Sequence, residues 1–352
     1  MPAIAVADAL RASGATPTFV GTRDRAEAEL VPEAGYEIDF LALEGLSRRN
    51  PFKAARAVFR AAWGVGAAKK ILREREADVV MGAGGYVAGP VGLAASRLGL
   101  PLVLTEADSH LGLANRRLAS RARRVCLAFP IEGREGDPYL VTGRPVPGAV
   151  LDADRWAARR RFGIPRGDQV ITVFGGSLGA RTVNEAAFEA FGGGEEALAD
   201  DPVGRPWILH VAGLRDYPAL EERWALAGRP ERYLLLEYEP SLGDVLAASD
   251  LVIARAGGSV MEIAAAGRPA ILIPYPYATA DHQTTNARWM TSARAAVTIP
   301  DSELEPERLR AEADAILGNE FRLGEMTTNS KRLAVPDAAE RIAAEVLAAA
   351  GT

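Results

Sequence analysis

Val170–Asn184 reads VITVFGGSLGARTVN. Val170, Ile171, Val173 and Phe174 form a β-branched and aromatic run of buried-strand length, Gly175-Gly176-Ser177 breaks it, and the residues from Leu178 onward tolerate a helix. The pattern predicts strand, Gly-rich turn, helix. Two glycines let the backbone approach a ligand closely, and the exposed N–H groups at the positive end of the helix suit a phosphate or diphosphate. Ser177 adds a hydroxyl donor, and Arg181, one turn in, adds a charge. A tight α/β connection has the same appearance, so the turn on its own leaves both readings open.

Outward from this stretch the βα alternation continues. Trp207–Ala212, Arg232–Glu237, Leu251–Ala254 and Ala270–Pro274 read as strands, with helices over Thr182–Phe191, Ala219–Ala227 and Leu242–Ala247. Arg255–Gly258 (RAGG) is a second Gly turn with Glu262 in the first turn of the helix after it. Pro274–Asn286 reads as a long loop carrying Asp281-His282-Gln283, and Asp337–Ala349 as an alanine-rich helix.

Toward the N-terminus the same alternation runs backward. Pro2–Ser13 reads as an amphipathic helix, not as a charged-then-apolar leader, with Thr16–Gly21 a strand, Ala26–Ala34 a helix and Glu37–Leu43 a strand. Arg48–Glu76 is a long helical stretch in which Phe52, Phe59 and Trp63 share a face ringed by Arg48, Arg49, Lys53, Arg56 and Arg60. That face is either a core stripe beside solvated cations or a basic-aromatic patch for an anionic membrane surface. Ala77–Met81 reads as a strand, Gly82–Gly92 as a Gly-rich turn with a helix to Leu98, Leu100–Leu104 as a strand ending at Thr105-Glu106-Ala107-Asp108, Leu113–Ser120 as a helix and Arg123–Ala128 as a strand. The Gly/Pro-rich loop to Pro147 marks a domain boundary.

At 352 residues two domains are expected. With 48% hydrophobic and 25% charged residues the composition is that of an ordinary globular protein, and the single cysteine, Cys126, excludes a disulfide framework and a cysteine-based metal site. Val79–Ser96 is free of charge, yet its glycines and Pro90 argue against a membrane span. Net charge is −5, unevenly placed: 20 basic and 16 acidic side chains up to Pro147, then 21 and 30. The basic first half suits an anionic partner surface. Of the three histidines, His282 is a ligand-contact candidate, His210 at a strand end reads as structural and His110 as solvated. None has metal-ligand spacing.

The ordered series GAGGYVAGP (Gly82–Pro90), LTEADSHLGLAN (Leu104–Asn115), TGRPV (Thr142–Val146), FGGSLGAR (Phe174–Arg181), RAGGSVMEIAAAGRP (Arg255–Pro269) and DHQTTNA (Asp281–Ala287) resembles the MurG family. These are bacterial GT-B transferases that move N-acetylglucosamine from UDP to lipid I, making lipid II for peptidoglycan. The resemblance covers nearly the whole chain. It implies an α/β GT-B fold of two Rossmann-like doubly wound domains facing across a cleft. Residues 1–147 would face acceptor and membrane, 148–335 would bind the UDP-sugar, and the helix in 336–352 would pack back toward the first domain. It further implies UDP-N-acetylglucosamine and lipid I as substrates, the cytoplasmic membrane surface as location, an inverting displacement, and neither cofactor, metal nor nucleic acid as partner.

Carried over by position, Glu262 would hold the ribose hydroxyls, Arg255 would lie beside the base, Gly175, Gly176, Ser177 and Arg181 would hold the diphosphate, and Gln283 with Asn286 the sugar hydroxyls. Gly84-Gly85-Tyr86 and Glu106 to Asp108 would face acceptor and donor sugar. The sequence departs from the family in places. Thr105-Glu106-Ala107-Asp108 replaces a His-Glu-Gln-Asn run; Arg144 stands where Asn is usual, and Pro147 where an Arg commonly follows, so Arg144 is carried as a substrate-binding candidate; Arg255 to Glu262 is one residue short. The family's Gly-Gly-Thr-Gly-Gly-His loop, with the histidine to which the general base is assigned, has no counterpart after Met1. The resemblance therefore predicts about a dozen residues ahead of Met1, a strand and that loop, and little activity without them, with Asp108 as substitute base. Alternatives are another UDP-sugar-dependent lipid glycosyltransferase or epimerase of GT-B fold, or a non-catalytic nucleotide-sugar-binding subunit.

Overall fold

A computed structural model describes residues 2–42, 64–192, 205–278 and 281–351. The chain divides into Met1–Pro145 together with Val335–Thr352, and Val146–Ala334.

In the first unit the strands are short and parallel. β1 (Phe19–Gly21) pairs with β2 (Ile38–Phe40), and β3 (Val80–Gly82), β4 (Leu102–Glu106), β5 (Arg124–Leu127) and β6 (Tyr139–Val141) form a four-stranded sheet in that order. Side chains alternate across this sheet, as a period of two requires. Leu102, Leu104, Val125 and Leu127 pack one core, while Val103 and Cys126 face a second built with Val6 and Leu10 of helix Pro2–Ala12 and Ile342 and Val346 of helix Ala338–Ala350. The C-terminal helix thus belongs to the first unit, tied there also by Arg124 Nε donating to Glu345 Oε2 at 2.7 Å.

The Gly82–Gly92 segment is not one long turn. Its turn is confined to the residues before Gly85, and helix Gly85–Leu98 runs through Gly89, Pro90 and Gly92. A Cβ at Gly92 would come within 2.6 Å of Leu118 Cδ1 on the neighbouring helix Leu113–Leu118, so the glycine lets the two helices pack closely without moving that side chain. The basic-aromatic stretch Arg48–Trp63 lies outside the described residues, and helix is seen over 64–74. No helix of the described residues is long and apolar enough to cross a membrane.

In the second unit β7 (Val170–Phe174) is buried at all five positions, as a strand with a neighbour on each edge and helices on each face must be. β8 (Trp207–Val211) and β9 (Tyr233–Leu236) lie on one side of it; β10 (Leu251–Arg255), β11 (Ala270–Ile273) and β12 (Ala296–Thr298) lie on the other. All pairs are parallel. The order β12-β11-β10-β7-β8-β9 is the doubly wound one, and it reverses between β7 and β10. A ligand crevice is expected beyond the carboxyl ends of those two strands.

Candidate active site

Both carboxyl ends at the reversal carry the Gly turns. After β7, Gly176 has φ +94° and Gly179 φ +88°, a conformation that L side chains rarely adopt, while a Cβ on Gly175 would collide with Ala180. Gly176, Ser177 and Leu178 are exposed, and Gly179 N donates to Gly176 O at 2.9 Å to close the turn. Helix Arg181–Phe191 starts only after the extended Ala180, so Arg181 is its first residue instead of lying one turn in. Its exposed guanidinium side chain therefore sits at the helix end that favours anions.

After β10, the turn Ala256–Ser259 leads into helix Val260–Ala265, with Glu262 half-buried in its first turn. Arg255 is not a free cation beside this turn. Its Nη1 lies 2.5 Å from Asp301 Oδ1, its Nη2 donates to Thr182 Oγ1 at 2.7 Å, and Thr182 donates to Asp301 at 2.8 Å. Thr182 is on the helix that follows the first Gly turn, so Arg255 ties the two strand ends together. Its guanidinium also lies 5.4 Å from the Tyr275 ring centre. Neither Thr182 nor Asp301 carried a sequence signal, because their link to Arg255 spans 73 and 46 positions of chain.

The expected loop 274–286 is shorter than its sequence suggests, since helix His282–Ser292 begins inside it, after Asp281 at φ +51°. Gln283 lies in that helix's first turn. Its Oε1 accepts from Tyr275 N at 2.9 Å, which leaves its amide donor turned toward Gly257, 4.0 Å from where a Cβ on that glycine would be. Asn286, by contrast, is 1% exposed and donates to Ala256 O at 3.1 Å. That donor braces the second Gly turn, while Asn286 Oδ1 is buried with no hydrogen-bond partner among the described residues. His282 is half-buried at the helix start.

The remaining candidates lie in the first unit. Gly84 and Gly85, φ +80° and +74°, form the start of helix Gly85–Leu98, and Tyr86 follows them on that helix. Glu106, at the carboxyl end of β4, is 8% exposed and holds three internal donors: Oε2 accepts from Gly112 N at 2.8 Å and Asn115 Nδ2 at 2.9 Å, and Oε1 from Asp108 N at 3.3 Å. A carboxylate with three internal donors organises its own loop. Asp108 is half-buried on that loop, as is Arg144 beyond β6, and His110 is half-buried where solvation was expected. Among the described residues no group of three or more His, Cys, Asp or Glu side chains could hold a metal ion.

Known proteins share this organisation. Residues 1–127 match the glycosyltransferase family 28 N-terminal domain and residues 170–342 its C-terminal domain. The UDP-N-acetylglucosamine--N-acetylmuramyl-(pentapeptide) pyrophosphoryl-undecaprenol N-acetylglucosamine transferase of Salinibacter ruber is 40% identical, over 99% of this chain and 93% of its own. The transferase of the same name from Moorella thermoacetica is 37% identical over 98% and 94%. The crystal structure of Acinetobacter baumannii MurG superposes with a TM-score of 0.74 at 28% identity, covering 99% of this chain and 95% of that one. The chain is an enzyme of GT-B class and belongs to glycosyltransferase family 28.

Proposed function

We propose that this chain transfers N-acetylglucosamine from UDP-N-acetylglucosamine to the lipid-linked N-acetylmuramyl-pentapeptide diphosphate, lipid I, giving lipid II. The observation that carries this reading is the pair of Gly turns brought together at the β7/β10 reversal, with Glu262 and Gln283 beside the second, in a chain 40% identical to a transferase named for that reaction. The acceptor hydroxyl attacks the anomeric carbon and gives its proton to a general base, the bond to the diphosphate oxygen breaks so that UDP leaves, and the configuration inverts. The charge that develops on UDP falls to the backbone of the exposed Gly176–Leu178 stretch of the turn, the Ser177 hydroxyl and Arg181 at the helix start. Glu262 accepts from the ribose hydroxyls, and the amide donor of Gln283 meets the sugar. Arg255 orients the base pocket through Asp301 and Thr182. We assign the second unit to the donor and the first to the acceptor. A lipid-linked acceptor calls for a peripheral site on the cytoplasmic membrane surface, for which the Arg48–Trp63 segment supplies the basic and aromatic chemistry.

Calorimetry tests the donor assignment. Glu262→Ala should weaken UDP and UDP-N-acetylglucosamine alike, by about 1.5–3 kcal/mol per lost charged hydrogen bond. Gln283→Ala should weaken only the sugar nucleotide. Equal losses of UDP affinity in both variants would remove the assignment. Flotation with anionic vesicles tests the surface, where salt-independent binding or none would count against it.

A further inference from the structure

Beneath the first Gly turn runs a buried polar chain that the proposed chemistry does not use. Asn184, 0% exposed, donates through Nδ2 to Ala212 O at 2.8 Å and to Asp216 Oδ2 at 3.2 Å. Both partners are acceptors only, so the amide orientation is fixed and Oδ1 points the other way, to His210 Nε2 at 3.0 Å. His210 must then donate from Nε2, which leaves Nδ1 to accept from the Tyr233 hydroxyl at 2.6 Å. Both His210 and Tyr233 are buried, and burial pushes the imidazole down to about 3, so the ring is neutral and holds one tautomer.

At its upper end the chain reaches the turn itself. Asp216 is 5% exposed, and its carboxylate binds Arg215 through Nε at 2.7 Å and Nη2 at 3.0 Å, while that Nη2 lies 3.3 Å from Gly179 O. A Cβ on Gly179 would lie 2.7 Å from Asp216 Oδ2, so the carboxylate is packed against the turn. Leu214 N donates to Ser177 O at 3.2 Å from the same β8 loop. Every hydrogen bond along Tyr233, His210, Asn184 and Asp216 has a single allowed direction, and the last member abuts the backbone whose N–H groups are to face the diphosphate.

We propose that Asn184, His210 and Asp216 are positioning residues for nucleotide diphosphates: through the β8 loop they hold the Gly175–Gly179 turn in its anion-receptive shape. The inference rests on the donor site proposed above. Its specific consequence is selectivity for the diphosphate part of the ligand. A residue that merely stabilises the unit affects nucleoside and nucleotide alike, whereas a residue that shapes the turn affects UDP and leaves uridine untouched.

The test measures UDP and uridine affinity by calorimetry in the wild-type protein and in D216N, H210N and H210Q. The Gln amide reaches where His Nε2 stood and still donates to Asn184, whereas the Asn amide stops at the Nδ1 position and cannot. D216N and H210N should lower UDP affinity about tenfold with uridine affinity unchanged, and H210Q should recover most of the loss. Nitrogen NMR of wild-type His210 should show the neutral Nε2-protonated ring. Parallel losses of UDP and uridine, unchanged UDP binding in D216N, or an Nδ1-protonated ring would overturn the inference. A wild-type protein that binds neither ligand would overturn the donor site beneath it as well, which separates the two failures.

Discussion

The buried His210 makes acid stability calculable. Burial lowers its pKa from the ordinary 6.5 to about 3, so below pH 6.5 the unfolded chain takes up a proton that the folded protein refuses. Stability contributed by the neutral ring is present in full above 6.5 and is lost as pH falls toward 3, at up to about 1.4 kcal/mol per pH unit. Between pH 7 and pH 4.5 the loss comes to about 2.5 kcal/mol. Replacing the ring by an amide that cannot titrate, in H210Q, removes this term while the carboxylates titrate in both proteins and cancel in the difference. Urea unfolding followed by tryptophan fluorescence reads mainly the second unit, which holds Trp156, Trp207, Trp224 and Trp289, four of the five tryptophans. The stability advantage of wild type over H210Q should shrink by about 2.5 kcal/mol from pH 7 to 4.5. A difference that stays flat across that range would show that folded His210 protonates as readily as unfolded, and the neutral buried ring would have to be abandoned.

Gly179→Ala places a Cβ against Asp216 in a backbone with φ +88°, so left-handed strain and overpacking together should cost about 2–5 kcal/mol, read as a lowered melting temperature of the second unit. Glu106→Ala leaves three donors of the β4 loop without their carboxylate and should destabilise the first unit by about 3 kcal/mol or more in chemical denaturation; a loss below 1 kcal/mol would refute its organising role. Cys126 is 1% exposed with its thiol pushed up to about 12, so at pH 8 the native protein should react with a thiol reagent about a hundredfold or more slower than the unfolded chain, a clean signal for opening of the first unit.

Much of the second unit was legible because its strands are continuous apolar runs bounded by glycine. Val170–Phe174 appears in the structure with the bounds its pattern predicts, and β8 to β11 differ from their expected spans by a residue or so at the ends. What was not legible is what depends on three-dimensional partners. Tyr139–Val141 is three residues between a proline and a threonine, too short for periodicity, and becomes a strand only because β5 offers it an edge. Helices Pro306–Leu317 and Glu320–Leu333 escaped the reading: although Leu309, Ala313, Ile316 and Leu317 mark a buried face in the first, charge dilutes it, and the second buries only Met326 and Ser330. Gly89 and Gly92 looked like loop residues, yet both lie inside helix Gly85–Leu98, where a Cβ on Gly92 would press on Leu118 and one on Gly89 would make only an ordinary contact with Ala114. At the proposed site, Ser177 stood out from its local Gly turn, while the roles of Glu262 and Gln283 came from the family resemblance. Asp216, Thr182 and Asp301 act on the same turns from distant segments, and no local pattern marks them. Asn286 was carried over from the family resemblance and Glu106 from that resemblance and its place at a strand end; the internal hydrogen bonds each makes depend on partners that no local pattern shows.

Transfer itself tests the central claim most directly. Labelled UDP-N-acetylglucosamine is incubated with the full chain, with and without a lipid-linked N-acetylmuramyl-pentapeptide diphosphate, and products are resolved by mass spectrometry and NMR. The account predicts acceptor-dependent formation of a β-linked disaccharide lipid and UDP in equal amounts, with the donor intact when acceptor is omitted. Consumption of UDP-N-acetylglucosamine without acceptor, as an epimer or free sugar, or an α-linked product, would contradict it.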